Sequence, residues 1–240
     1  MTLRSPHSIL NGKQGEFRKI KFSSRISSVI LLILLFNPFV GFPQSSSVGG
    51  AKFLSHLENA VGHEINMART APGEYASLLE RYKKYYDKKL VRLPGETPIL
   101  TKEGVGAAIE AIRFLRSVKP LPPLNPSKGM SSGANDHVKD QGTSGSSQHR
   151  GSDGSQPWDR VNRYGTWEKS IGENIALGSN KARDIVLSLM IDDGVPGRGH
   201  RKNIFNPDFR VIGVACGHHA TYGIVCVITF AGGYKEKGGK

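Results

Sequence analysis

Apolar residues recur at helical spacing in several separate stretches of this chain. In residues 53–69 every third or fourth position is apolar, and Pro72 then suits the first turn of a second helix. Thr101 and Ser127 are each predicted to cap a further helix, because a side-chain hydroxyl there precedes a buried stripe. Shorter patterns predict a helical turn over residues 158–164 and a helix over residues 181–191.

Extended segments come late in the chain. A short strand is predicted to begin at residues 172–176, and residues 211–216 and 223–230 are predicted to form an antiparallel pair. The midpoint of Cys216 and Cys226 falls in the connecting turn, so the two cysteines should face each other across the strands. An oxidising compartment would join them in a disulfide, and two buried thiols are the alternative.

Two polar segments each hold a histidine. Residues 141–156 are rich in glycine and serine and are predicted to form a long loop that carries His149. Residues 192–199 are predicted to form a second loop, after which His200 is held just before a polar turn that ends in Asn206-Pro207-Asp208. Long polar loops inside compact domains often carry function, and a turn before a buried strand holds its histidine in a fixed position.

The N-terminus is typical of a targeting segment. Residues 1–25 are polar and basic, and residues 26–40 are apolar and uncharged, which is the order found in a secretory signal peptide. An uncleaved N-terminal membrane anchor is the alternative for residues 1–44, and both interpretations place the protein outside the cell or in its envelope. Residues 45–50 are predicted to be a flexible leader, residues 51–236 a single domain and residues 237–240 a tail.

The chain is strongly basic. Its formal net charge is +13, of which +5 lies in the first 44 residues. Such a surface favours anionic partners in general, although solubility alone explains it more simply, and we do not expect nucleic acid. In residues 81–92 basic side chains alternate with tyrosines, which we interpret as a solvated helix end with inward tyrosines; binding of an anionic polymer or headgroup surface is the alternative.

Several motifs, taken in order, resemble the CAP superfamily of cysteine-rich secretory proteins, antigen 5 and plant pathogenesis-related proteins, whose domain is also called SCP. They are Asn66 with Arg69, Ser147-Gln148-His149-Arg150-Gly151-Ser152-Asp153-Gly154, Trp158-Asp159-Arg160-Val161, Gly172-Glu173-Asn174-Ile175-Ala176, and Gly199-His200-Arg201-Lys202-Asn203-Ile204 with Asn206-Pro207. The resemblance implies an α+β fold, a three-layer α-β-α sandwich with a small antiparallel sheet. It also implies a surface cleft with two histidines and two acids.

Carried over by motif, the cleft residues are His149, Glu173 and His200. The second acid is expected at the end of the helix that precedes the Gly-His-Arg motif, where Asp192 is the nearest match and Asp193 is the fallback. This part of the chain departs from the family pattern. Leu189 stands where the family usually has tryptophan, and the link from Asp192 to Gly199 is longer.

We consider three alternative functions for this cleft. The leading hypothesis is a non-catalytic binding protein for a lipid, a sterol or an extracellular partner, with His149 and His200 able to hold zinc or another divalent cation. The second is a metal-assisted or serine-type peptidase that uses His149, Glu173 and His200, with Ser146 or Ser147 as nucleophile. The third is an interaction domain in which these side chains form a structural hydrogen-bond network.

Overall fold

The computed structural model describes residues 50–238. The predicted signal or anchor of residues 1–44, most of the leader and the last two tail residues lie outside the described residues. In the described part, no helix is long and apolar enough to cross a membrane.

The described chain alternates helices with strands. The helices are α1 (His56–Thr70), α2 (Pro72–Tyr82), α3 (Val105–Ser117), α4 (Lys128–Ser144), α5 (Pro157–Asn162), α6 (Ala182–Ile191) and α7 (Gly199–Ile204), with a 3-10 turn at Lys83–Tyr85. The strands are β1 (Tyr86–Asp87), β2 (Leu90–Val91), β3 (Ile99–Leu100), β4 (Asn125–Pro126), β5 (Gly165–Leu177), β6 (Val211–His219) and β7 (Gly223–Glu236).

A four-stranded sheet in the order β4-β6-β7-β5 forms the middle layer. Its long strands pair antiparallel, and only the two-residue edge strand β4 runs parallel to its neighbour β6. Helices α4 and α5 pack on one face, and α1, α6 and α7 pack on the other, with α2 and α3 behind them. The predicted three-layer α-β-α sandwich is therefore confirmed.

Strand β7 is buried on both faces. Cys226 and Ile228 pack into the larger core with α1, α2, α3 and α6, whereas Val225 and Val227 pack into a second core against α4. Alternate residues of a strand point to opposite faces, so one strand contributes to both cores. Cys216 is the register partner of Cys226, and the two form the predicted disulfide.

Motif residues of α1 fasten the Pro-rich link between α3 and α4. The side chain of Asn66 donates to the carbonyl of Leu124 and accepts from its backbone N–H, at 3.0 and 2.7 Å. Arg69 is fully buried and donates to four backbone carbonyls, those of Pro122, Ile204, Asn206 and Phe209. Burial lowers the pKa of Arg69 to about 10, and the carbonyls replace the water that its charge has lost.

The structure corrects some predicted element ends. Thr101 does not cap α3: its hydroxyl donates to the carbonyl of Lys89, and the helix begins only after Gly104. Helix α4 continues into the predicted loop because Gln141 is buried, and it ends where Gly145 adopts the left-handed conformation. Strand β5 begins seven residues earlier than predicted, since its first half pairs with the end of β7.

Candidate functional site

His149 and Glu173 form the first histidine–carboxylate pair. His149 lies in the loop between α4 and α5, and its Nδ1 lies 3.0 Å from Oε1 of Glu173 on β5. The histidine side chain is half exposed, whereas that of Glu173 is only 1% exposed. Because an ionised carboxylate can only accept, Nδ1 is the donor in this contact, and Nε2 is the ring nitrogen left for a ligand.

Arg160 on α5 connects the loop to this carboxylate. Its Nη2 donates to Oε2 of Glu173 at 2.8 Å and to the backbone carbonyl of His149 at 3.1 Å. A further bond runs from Nη1 to the carbonyl of Ser155. Arg160 is 2% exposed, so this is a buried ion pair whose partners also satisfy the surrounding backbone.

His200 and Asp192 form the second pair. Nδ1 of His200 lies 2.7 Å from Oδ1 of Asp192, whose side chain is fully buried. The other carboxylate oxygen accepts the backbone N–H groups of His200 and Arg201, at 2.9 and 3.2 Å. Asp192 thus caps the first turn of α7 and orients the histidine within it. His200 lies in a short helix that the sequence did not predict.

Two asparagines join the halves of the site. Nδ2 of Asn174 on β5 donates to the carbonyl of His200 at 3.0 Å. Asn203 on α7 donates in turn to Oδ1 of Asn174 and to the carbonyl of Glu173, at 2.8 and 3.2 Å. The strand that carries Glu173 is therefore fixed against the helix that carries His200.

A buried histidine on α4 contacts the loop that carries His149. His137 on α4 is fully buried, and its Nε2 lies 2.9 Å from the carbonyl of Gln148. Burial lowers the pKa of His137, which favours the neutral ring. The side-chain amide of Gln141 also donates to the carbonyl of Gln148, at 2.9 Å. His137 is thereby a support for the residue before His149.

The longer link before His200 is fastened to α3. Asp193 accepts the backbone N–H groups of Lys102 and Glu103, at 2.6 and 2.8 Å, and does not contact His200. Arg198 forms ion pairs with Glu103 and Glu110. Side-chain hydrogen bonds from Arg198 lower the pKa of Glu103 to about 2. Of the two candidate acids, the structure places Asp192 beside the histidine.

The structure brings the sequence-predicted residues together as two pairs. Neither Nε2 of His149 nor Nε2 of His200 forms a hydrogen bond with a described residue. Within residues 50–238, no group of three or more His, Cys, Asp or Glu side chains is arranged to hold a metal ion. The hydroxyl of Ser146 accepts from the backbone N–H of Gln148, and among the described hydrogen bonds it reaches neither histidine.

Sequence reasoning assigned no role to Arg160, Asn174 or Asn203. Each stands inside a motif quoted for the family resemblance, which was the available signal. A buried arginine cannot be recognised from spacing, because its hydrophobic neighbours come from distant parts of the chain.

The fold agrees with the comparison to known proteins. The model of the cysteine-rich secretory protein family, CAP, matches residues 109–230, and the chain belongs to this family. Glu173, Asp192 and both histidines lie within the matched region.

Individual relatives are distant. The chain is 31% identical to the protein YkwD of Bacillus subtilis over 106 residues, which is 44% of this chain and 39% of that protein. An outer surface protein from Borrelia burgdorferi is 20% identical, with a TM-score of 0.40 over 49% of this chain and 80% of that one. An extracellular SCP-domain protein from Bacillus anthracis is 21% identical, with a TM-score of 0.38 over 53% of this chain and 37% of that one.

Proposed function

We propose that this chain is an exported, non-catalytic CAP-domain binding protein whose cleft holds a divalent metal through His149 and His200. The observation that carries the proposal is the orientation of both imidazoles. Each places Nδ1 in hydrogen-bond contact with a buried carboxylate, which leaves Nε2 as the ring nitrogen available to a ligand. This is the arrangement found around metal-binding histidines, where the carboxylate fixes the tautomer and raises the basicity of the ring.

The donor set fits an open metal site better than a closed structural one. Two imidazoles suit zinc, and the described residues supply no third side chain in place. When bound, the metal would supply a Lewis-acidic centre with positions left for water or a ligand. Glu173 and Asp192 would hold the two rings in orientation rather than bind the ion.

Zinc titration calorimetry tests this function. We expect wild-type protein to bind one zinc ion and the variants His149→Ala and His200→Ala to lose that binding. Glu173→Gln should weaken it by about 10–100-fold, the usual effect of losing an outer-shell partner. His63→Ala is the matched control, because His63 is an exposed histidine on α1 outside the cleft.

The calorimetric result also separates binding from a purely structural role. If the cluster only stabilises the fold, the two alanine variants should melt at lower temperature and zinc should bind neither them nor the wild type. Zinc binding that persists unchanged when both histidines are replaced would contradict the proposed site.

A lipid or sterol is the organic ligand that we propose for this protein. A groove of about 600 Å³ runs beside α1. Its wall combines the apolar side chains of Leu54, Leu124, Ile212 and Val214 with the polar side chains of His56 and Asn59. Concave apolar sites with a few polar groups are typical of small-molecule binding.

Mass spectrometry of the protein after incubation with saturating lipid checks this ligand class. We expect a stoichiometric adduct that is reduced in Ala60→Phe, where the larger side chain would fill the groove. An empty protein under saturating lipid would count against it, without affecting the zinc site.

A further inference from the structure

One segment carries most of the net charge of +8 that remains outside the first 44 residues. Residues 81–102 contain seven lysines and arginines against Asp87 and Glu96, a net charge of +5. Asp87 is paired with Arg92, and Glu96 is paired with Lys181 from outside the segment. Among the described ion pairs, none includes Arg81, Lys84, Lys88, Lys89 or Lys102. These five basic side chains are therefore left without an ion-pair partner among the described residues, whereas Lys83 is paired with Glu80.

A small three-stranded sheet presents these charges on a firm base. Strands β1, β2 and β3 pair antiparallel, and Lys88 and Lys89 form the turn between β1 and β2. Tyr82 and Tyr86 pack edge to face at its base and against the larger core. The inward packing predicted for the tyrosines is thus found for these two. The two tyrosines therefore fix the small sheet to the core, and the two lysines of its turn are exposed.

The same sheet also exposes aliphatic side chains, which binding of an anionic partner by the lysines alone would not require. Ile99 is 51% exposed and Leu100 is 75% exposed. Leu100 is the register partner of Leu90, which is the partner of Asp87 beside the lysine turn. Directly paired residues share one face, so Leu100 lies on the face of Leu90 and about 10 Å, two strand spacings, from Asp87.

We propose that the surface formed by residues 81–102 docks on an anionic phospholipid bilayer. Lysines near a negatively charged membrane surface bind its headgroups, and exposed aliphatic side chains gain by entering the boundary between headgroups and acyl chains. A soluble anionic polymer would engage the lysines and leave Leu100, on the face of Leu90 and Asp87, in water. The combination of both features in one small sheet favours the bilayer. This surface does not use the cleft histidines, so the inference goes beyond the proposed function.

A local probe on the full-length chain tests the contact. The apolar residues 26–40 could carry the chain to vesicles by themselves, so the readout must report on the β1–β3 sheet alone. We would label Thr97→Cys, at an exposed position beside β3, with the environment-sensitive dye NBD. The two native cysteines are joined in the disulfide and do not compete for the dye.

The expected result is a blue shift of the dye on vesicles of phosphatidylcholine with phosphatidylglycerol, and none on phosphatidylcholine alone. High salt should weaken the shift, because the headgroup attraction is screened. A dye at Lys128→Cys on α4 should not respond. No shift at position 97 on the anionic vesicles would overturn the proposal.

Variants that reverse lysine charges or remove an exposed apolar side chain then distinguish a bilayer from an anionic polymer. In the labelled chain, Lys88→Glu with Lys89→Glu should weaken partitioning at least about tenfold. Lys128→Glu with Lys139→Glu, the same charge change on exposed positions of α4, should leave it near the wild-type value. Leu100→Ser should weaken it severalfold, whereas Tyr222→Ser, at another exposed apolar residue, should not. Loss with the lysine variant but not with Leu100→Ser would overturn the bilayer in favour of an anionic polymer.

Discussion

At the scale of single residues, Arg160 decides whether the first histidine pair can form. Its guanidinium neutralises a carboxylate that is almost completely buried and also holds the backbone of His149. Without it, Glu173 would keep its charge in a site that water does not reach, and the loop would lose its strongest anchor. Arg160 therefore acts through Glu173 and the loop, and it is a positioning residue for the proposed metal site.

Replacing Arg160 by methionine should be strongly destabilising. A buried ion that loses its partner costs about 3–5 kcal/mol, whereas removing both ions together is often close to neutral. We expect the free energy of unfolding in urea to fall by about that amount in Arg160→Met and to recover in part in Arg160→Met with Glu173→Leu. A single variant as stable as the wild type would show that the pair is not buried in solution.

At the scale of elements, the link between α6 and α7 is held by α3 and by the residues just before it. Glu103 accepts from Arg198 and from the backbone N–H of Gly194, and Asp193 binds the backbone at the start of α3. These bonds fix the segment that leads into Asp192 and His200. Part of the extra length of the link therefore forms an ordered connection to α3.

This connection should make stability depend on pH in the acidic range. The pKa of Glu103 is lowered from 4.5 to about 2 by its hydrogen bonds to Arg198. A carboxylate with a lowered folded-state pKa stabilises the protein above pH 4.5, and that contribution is lost as the pH falls towards 2. The melting temperature of Glu103→Gln should therefore lie below that of the wild type at pH 6, and the difference should shrink between pH 4.5 and 2.5. A difference that stays constant over this range would contradict the assignment.

Elements whose signals are local could be predicted from the sequence. The break at Pro72, the cap at Ser127 and the cysteine hairpin all depend on neighbouring residues. Helix α7 was missed because its cap is Asp192, seven residues before the helix begins. The first half of β5 was missed because its partner is the distant end of β7.

The candidate site was likewise predictable from the sequence only in part. Motif order was enough to select His149, Glu173, Asp192 and His200, and the structure places them in two pairs. Which acid meets which histidine could not be derived, because three of these residues come from different elements that only the packed sheet and helices bring together. The choice of Asp192 over Asp193 depends on the left-handed backbone that ends α6, a tertiary feature.

At the scale of the whole molecule, one sheet carries both the stability and the site. Strand β7 packs into a core on each of its faces, and its neighbour β5 carries Glu173 and Asn174 at the edge next to α7. The carboxylate that contacts His149 is thus mounted on the part of the protein that is hardest to deform. Long strands buried on both faces suit a protein that holds its binding groups in place before the ligand arrives.

The contacts that fix the backbone at the two histidines do not involve the imidazole rings. Arg160 binds the carbonyl of His149, while Asn174 and Asp192 bind the carbonyl and the N–H of His200. Either ring can therefore be exchanged without rebuilding the loop or the helix that carries it. A cysteine at position 149 or 200 would therefore change the metal preference of the cleft while the backbone that carries it keeps its contacts.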